Sequence, residues 1–407
     1  MAGFGPPSRR KVSLPAFWRA FRARSARHEK GPMSLRFSVV MTSYNYRHFI
    51  AQAVDSALAQ TRPPHQIVIV DDGSTDGTVD LLAARYGRDG RVEVVVQANQ
   101  GQLGAFATGA RQASGDVVCL LDADDYWDPD YLETIGALYD RRPDIDLVFS
   151  DLHRFGADGG AEVYGVETFA DTEEDFGYTA IVTYMTDHKY GTATSALSMR
   201  RSWAVRCTDF PEHFIRMWRT CADACLLHAA SIYGARKYFL PTGRVHYRVH
   251  GSNMWFNNWN RVTDYKNPLH KRLVRNYCAG VIGMEPNCAY LAPLEFATKP
   301  APSAAERARY ATLLPPPPEA VAEPAAEPAR HTREAAPEPA FEPDAGATPA
   351  AAEPGPAGTA PAEADPVERR ASPLAGGSFT LRLRRPWRHP RRYLRDVARV
   401  VLQKPNL

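Results

Sequence analysis

Three aspartates in four residues, DADD at 122–125, close the apolar run VVCLL. Ending a buried strand on carboxylates costs like-charge repulsion unless a cation sits there, and an oxygen-only donor set suits Mg2+ or Mn2+. Asp122 and Asp124 are two residues apart, so an extended backbone turns them to the same side. A second acidic cluster, DDGSTDGT at 71–78, follows another Val/Ile run and leads into a helix-like segment. Gly73 permits a tight turn, and Ser74 or Thr75 is placed to cap the helix. Asp71 and Asp72 stand at the strand end, where a carboxylate can accept from a nucleobase imide or a ribose hydroxyl. DADD is the sharper signal, with a solvated acidic turn as its weaker reading. DDGS alone also reads as a plain turn plus cap, and its pairing with DADD is what points to a phosphate-bearing ligand with a divalent cation.

Rival carboxylate motifs fit less well. A calcium loop starting at Asp122 puts Tyr126 and Trp127 where an acid or Asn and a Gly are needed. A phosphotransferase using Asp122 as nucleophile stays open as an alternative, although Tyr126 stands where that pattern has Thr or Val. A dinucleotide fingerprint is excluded, because TSYNYRH (42–48) contains no glycine.

These clusters need a scaffold. The runs 37–42, 66–72, 92–97, 117–125 and 146–151 are strand-like, and 48–60, 75–86, 101–113 and 129–140 have helical spacing. Strands alternating with helices predict an α/β fold with a mostly parallel, doubly covered sheet, whose ligands bind beyond the carboxyl ends of the strands. Beyond residue 152 the rhythm loosens: a strand is expected at 160–169, a helix at 174–186, a strand at 192–200, one helical stretch at 212–233, then two strands. The expected domains are a basic extension (1–36), a catalytic domain (37–255, split at 151/152), a helical and loop extension (256–300), a disordered Pro/Ala/Glu linker (301–375) and a basic tail (376–407).

Charge supports that division. Residues 1–36 and 376–407 each carry nine Lys/Arg and one acid, and 315–375 carry eleven acids and four Arg. Residues 37–314 therefore sum to −6 within the total of +3, which excludes a basic nucleic-acid-binding domain. The six cysteines are too scattered for a disulfide framework and imply free thiols. No apolar run reaches the ~18 residues of a membrane span, and no cleavable signal peptide is expected. SLPAFWRAF (13–21) and HPRRYLRDVARVVLQ (389–403) are basic and amphipathic, candidates for membrane-surface contact. A cytoplasmic protein is the expectation, its basic ends reading as frayed termini, as contacts with the inner face of the membrane or as contacts with a protein partner.

The strings TSYNYRHFIAQAVDSALAQT (42–61), IVIVDDGSTDGT (67–78), NQGQLGAFATGARQASGDVVCLLDADD (99–125), ADACLLHAASIYG (222–234) and YRVHGSN (247–253) occur in one order. Together they resemble a family 2 glycosyltransferase with a GT-A-type nucleotide-sugar fold. The resemblance implies an inverting, metal-dependent transfer of a single sugar from a nucleotide sugar, UDP-sugars being favoured, to a glycan, lipid-linked or polysaccharide hydroxyl. By the same resemblance Thr42, Tyr44 and Asn45 wrap the nucleobase, and Asp72 hydrogen-bonds it. Asn99 and Gly101 flank the donor sugar. Asp122 faces ribose and metal, Asp124 ligates the metal, and His250 closes over diphosphate or metal. Asp223 matches the catalytic base, with Ala222 replacing the usual Glu; Thr108 departs from the usual Asn or Arg. The processive synthases' Gln-x-x-Arg-Trp motif is missing, FIRMW (214–218) being the nearest string. A non-catalytic scaffold is the remaining alternative, kept open by Ala222.

Overall fold

The computed structural model describes residues 35–158, 161–251, 253 and 261–314. The Val/Ile-rich runs form β1 (Phe37–Ser43), β2 (Gln66–Asp71), β3 (Val92–Val96) and β4 (Val117–Asp122). Between them lie α1 (Ile50–Leu58), α2 (Thr78–Tyr86) and α3 (Gln102–Gln112). Every residue of β1 is buried. Val40 packs into one apolar layer, and Phe37, Val39 and Met41 pack into the other. Helices cover both faces, which is why the strand is apolar without alternation.

The chain continues through β5 (Tyr126–Trp127), α4 (Tyr131–Arg141), β6 (Leu147–Phe149), β7 (Leu152–Asp158), β8 (Ala161–Glu162) and β9 (Gly165–Glu167). Then come β10 (Glu174–Gly177), α5 (Ala180–Thr186), β11 (Leu197–Arg200), α6 (Arg201–Thr208), α7 (Glu212–Met217) and α8 (Ala222–Tyr233). The described elements end with β12 (Lys237–Phe239), β13 (Val245–Val249), α9 (Arg261–Ile282), α10 (Ala292–Phe296) and α11 (Ala304–Ala311).

The main sheet has the order β10-β12-β6-β11-β4-β1-β2-β3. The β1–β2, β1–β4, β2–β3 and β6–β12 pairs are parallel; β10 and β11 run antiparallel to their neighbours. The fold is thus the α/β, mostly parallel arrangement expected from the sequence. From β1 the chain builds outward to β2 and β3, then crosses back to add β4 on β1's other side. That reversal opens a crevice beyond the strand ends, where ligands of such sheets bind. The register sets Thr42 opposite Asp122 and Ser43 opposite Asp71, so both acidic clusters emerge at one level. A smaller sheet, β5-β13-β7-β8 with β9 on β7, carries the rest of the wall.

Five expectations are corrected, the first being the single strand at 160–169, which gives two short strands, β8 and β9, instead. Residues 174–186 begin as β10 and turn helical only at Ala180, after Gly177 at φ 57°. The 192–200 segment starts as a single 3-10 turn, Thr194–Ala196, before β11. The 212–233 stretch divides in two, because Cys221 adopts a left-handed φ of 53° immediately before α8. The linker does not start at 301: Ser303 caps α11 by accepting from the Glu306 amide, and Tyr310 and Glu306 are buried. The buried Glu306 carboxylate is held by Lys299 and Arg309. The basic extension and its 13–21 segment, the linker from 315 onward and the 376–407 tail lie outside the described residues. Among the described residues all six cysteines are free thiols, and no helix is long and apolar enough to cross a membrane.

Candidate active site

A cavity of about 640 Å³ opens at the carboxyl ends of β1, β2 and β4. Thr42, Tyr44, Asn45, Asp72, Asn99 and Gly101 line it, as do Asp122, Asp124 and Asp223. The structure therefore gathers nine of the ten expected site residues around one space, although they span 182 positions of sequence from Thr42 to Asp223.

At one end of the cavity, the β1 loop is latched to the β2 loop. Asn45, at φ 61°, donates its amide to Ser74 Oγ (2.8 Å), and its Oδ1 accepts from the Thr75 amide (2.8 Å). Ser74 is thus a latch rather than a helix cap; the α2 N-cap position is Gly77, with no side-chain cap. Asp72 is 4% exposed and accepts from Gln97 Nε2 (2.7 Å) and the amides of Gln100 (2.8 Å) and Gly101 (2.7 Å). Burial pushes its carboxyl above the usual range, and these hydrogen bonds pull the other way. Thr108 Oγ1 donates to Gln97 Oε1 (2.7 Å), so the unusual Thr108 orients the side chain that holds Asp72. Tyr44, which lines the cavity, is half-exposed at 49%. Ser43 Oγ is buried with no hydrogen-bond partner among the described residues, and Ser43 too lines the cavity.

At the centre, carboxylate oxygens of Asp122, Asp124 and Asp125 lie within 4.8 Å of one another. An all-carboxylate donor set of this kind fits a hard divalent cation such as Mg2+ or Mn2+. Asp125, absent from the expected set, is committed to the frame: it accepts from Ser195 Oγ (2.6 Å) and the Arg248 amide (2.8 Å). Asp122 and Asp124 remain the better donors. Burial, then the charges of Asp124 and Asp223, push the Asp122 carboxyl up. Burial, Asp124 and Asp122 do the same to Asp125. Tyr46 and Tyr247 face the cavity as neutral phenols, their ionisation opposed by burial and these aspartates. His250 Nε2 lies 3.0 Å from Asp124 Oδ2, and its ring packs on Phe49 at 4.6 Å between centroids. His250 thus orients Asp124 and stands outside the three-carboxylate group, an arrangement that fixes a ligating carboxylate.

On the far wall, Asp223 occupies the first turn of α8, near the positive end of the helix dipole. Its Oδ2 pairs with Lys189 Nζ at 3.3 Å. Gln102 ties the two ends together: its Nε2 donates to Asp122 Oδ1 (3.2 Å), and its Oε1 accepts from the Ala222 amide (2.9 Å). Ala222 therefore presents its backbone where the resembled motif has a carboxylate. The other acids in reach of the sequence argument are elsewhere. Asp187 pairs with His228 (3.0 Å) and Arg275 (3.3 Å), and neither it nor Asp209 lines the cavity. Gln102, Lys189, Ser195 and Arg248 were not legible as site residues. Gln102 sat inside a recognised string, but Lys189 and Ser195 lie in a stretch with no motif.

The sequence model of Glycosyl transferase family 2 matches residues 38–204. An uncharacterized glycosyltransferase of Nostoc sp. is 32% identical over 220 residues, 54% of this chain and 66% of that protein. Chondroitin synthase of Pasteurella multocida is 25% identical over 247 residues, 59% of this chain and 24% of that protein. This chain thus spans less than two thirds of the length of either relative. Among solved structures, S. aureus TarS 1-349 in complex with UDP-GlcNAc covers 69% of this chain and 80% of its own, at 19% identity and a TM-score of 0.45. Asp223 and His250 lie beyond the family-matched stretch.

Proposed function

We propose a reaction for a chain whose residues 38–204 belong to glycosyltransferase family 2: transfer of a single sugar, with inversion, from a nucleotide sugar to an acceptor hydroxyl. A UDP-sugar is the favoured donor, and the acceptor is a glycan, a lipid-linked glycan or a cell-surface polysaccharide. The observation that carries this reading is one cavity with Asp122 and Asp124 on its floor and Asp223 on its far wall.

Each residue has a task the geometry supports. The half-exposed Tyr44 ring offers a stacking face for a base, while Asn45 keeps the loop folded around it. Asp72 has three of its acceptor positions filled, which leaves one for the base or ribose. Asn99 and Gly101 border the space next to the nucleotide, where the sugar belongs. Asp122 and Asp124 would hold the Mg2+ or Mn2+, steadied by His250; the ion when bound neutralises charge on the departing diphosphate. Asp223 takes the acceptor's proton as its oxygen attacks the anomeric carbon from the face opposite the leaving group. One displacement needs no enzyme nucleophile, so the configuration inverts. No observation among the described residues favours the phosphotransferase alternative, and Tyr126 stands where its pattern has Thr or Val.

Asp223→Asn tests the assignment, because it keeps size and most hydrogen bonding but removes the proton acceptor. Transfer is expected to fall by roughly 10²-fold or more with donor affinity near intact. Unchanged transfer would overturn Asp223 as the base.

A further inference from the structure

Residues 187–195 form a strap between α5 and β11, tied down along most of its length. Asp187 anchors one end on His228 of α8. Tyr190 is fully buried; its hydroxyl donates to Glu306 Oε1 (2.7 Å), and its carbonyl accepts from Lys237 Nζ (3.0 Å). The same Lys237 ammonium donates to Leu227 O of α8 (2.8 Å). Gly191 lies so close to α8 that a Cβ there would stand 2.4 Å from the Leu227 methyls. Thr192 donates to Ser150 O (2.6 Å), and Ser195 bonds both the Asp122 amide and the Asp125 carboxylate. One segment thus touches the central carboxylates at one end and is bound to the helix of Asp223 at the other.

Lys189 is the residue this strap delivers to the cavity. Among the described residues it is the one Lys or Arg side chain ion-paired with any of Asp122, Asp124, Asp125 or Asp223. The pair is partly buried, with side chains 33% and 15% exposed, so solvent screens it less than a surface pair. It engages Oδ2 of Asp223, and no other hydrogen bond holds that carboxylate among the described residues. A base needs one oxygen free and one direction fixed. Holding Oδ2 does both, because it selects the rotamer and leaves Oδ1 to receive the proton.

We propose that Lys189 is the positioning residue for Asp223, set in place by a strap that Lys237 and Glu306 clamp from beneath. The proposal rests on Asp223 being the base. It concerns geometry at the reacting oxygen, where a displacement of about 1 Å costs roughly 10²-fold in rate.

The test is a double-mutant cycle on the full chain, with transfer and donor binding both measured. Lys189→Met is expected to lower kcat by roughly 10–100-fold, with donor KM and calorimetric Kd unchanged. Lys189→Arg is expected to recover most of that loss. Added to Asp223→Asn, Lys189→Met is expected to cost nothing further, because it acts through a carboxylate already disabled. Full additivity in the double variant, or a wild-type kcat in Lys189→Met, would overturn the proposal. These failures differ from failure of the underlying reading, which would show as unchanged transfer in Asp223→Asn alone.

Discussion

Gln102 Nε2 donates to Asp122 Oδ1 at 3.2 Å, and the same carboxamide accepts from the backbone amide that opens the helix of Asp223. A neutral side chain therefore couples the Asp122 carboxylate to the helix of Asp223 without adding charge to an acidic cavity. Gln102→Glu keeps the acceptor for the Ala222 amide and turns the donor facing Asp122 into a like charge. We expect transfer to fall roughly tenfold or more, the scale of one charge-assisted hydrogen bond. Steady-state rates of Gln102→Glu and Gln102→Ala check this, and wild-type rates in both would remove Gln102 from the site.

Gly101 has φ 84°, and a Cβ built there would sit 2.5 Å from Arg219 Cα. The Gln102 amide also bonds Arg219 O at 2.9 Å, so the backbones cannot separate without loss. Gly101→Ala should cost on the order of 1–3 kcal/mol of stability and weaken donor binding, because the Gly101 amide is one of the donors to Asp72. Chemical denaturation and calorimetry report the two effects separately.

Lys237 is fully buried, and burial pushes its ammonium down to about 7. The unfolded chain keeps that proton up to the ordinary lysine value of about 10.4. Between those pH values the unfolded state binds more protons, so this group makes stability rise with pH, and its cost is greatest below about pH 7. Lys237→Met should abolish the dependence, a difference approaching about 1.4 kcal/mol per pH unit. Urea midpoints of both proteins across that range check the sign.

The parts of the fold legible in the sequence were those where periodicity and burial agree. β1 through β4 are short Val/Ile runs ending in polar residues, and they form the parallel core as read. The cavity residues Asp72 and Asp122 were legible because strand ends place them by local rules, whereas Thr42 and Asp223 were reached through the family resemblance. What escaped depends on contacts distant in sequence. The break at Cys221 requires a left-handed residue that no glycine announces. The ordering of residues 304–311 depends on burying Glu306 against Lys299 and Tyr190, far away in sequence. Lys189 and Ser195 acquire their roles only when the strap lies along β4 and α8, and nothing in their own neighbourhood encodes it.

The central claim is a carboxylate-held cation serving a nucleotide-sugar donor. Calorimetric titration of the full chain with UDP-, GDP- and dTDP-sugars, with Mn2+ and with saturating chelator, tests it most directly. The account predicts that a UDP-sugar binds in Mn2+, that chelator or Asp124→Ala removes most of that binding while the fold survives, and that transfer is lost in parallel. Binding and transfer undiminished by chelator would contradict the metal assignment, and no binding of any nucleotide sugar would contradict the account itself.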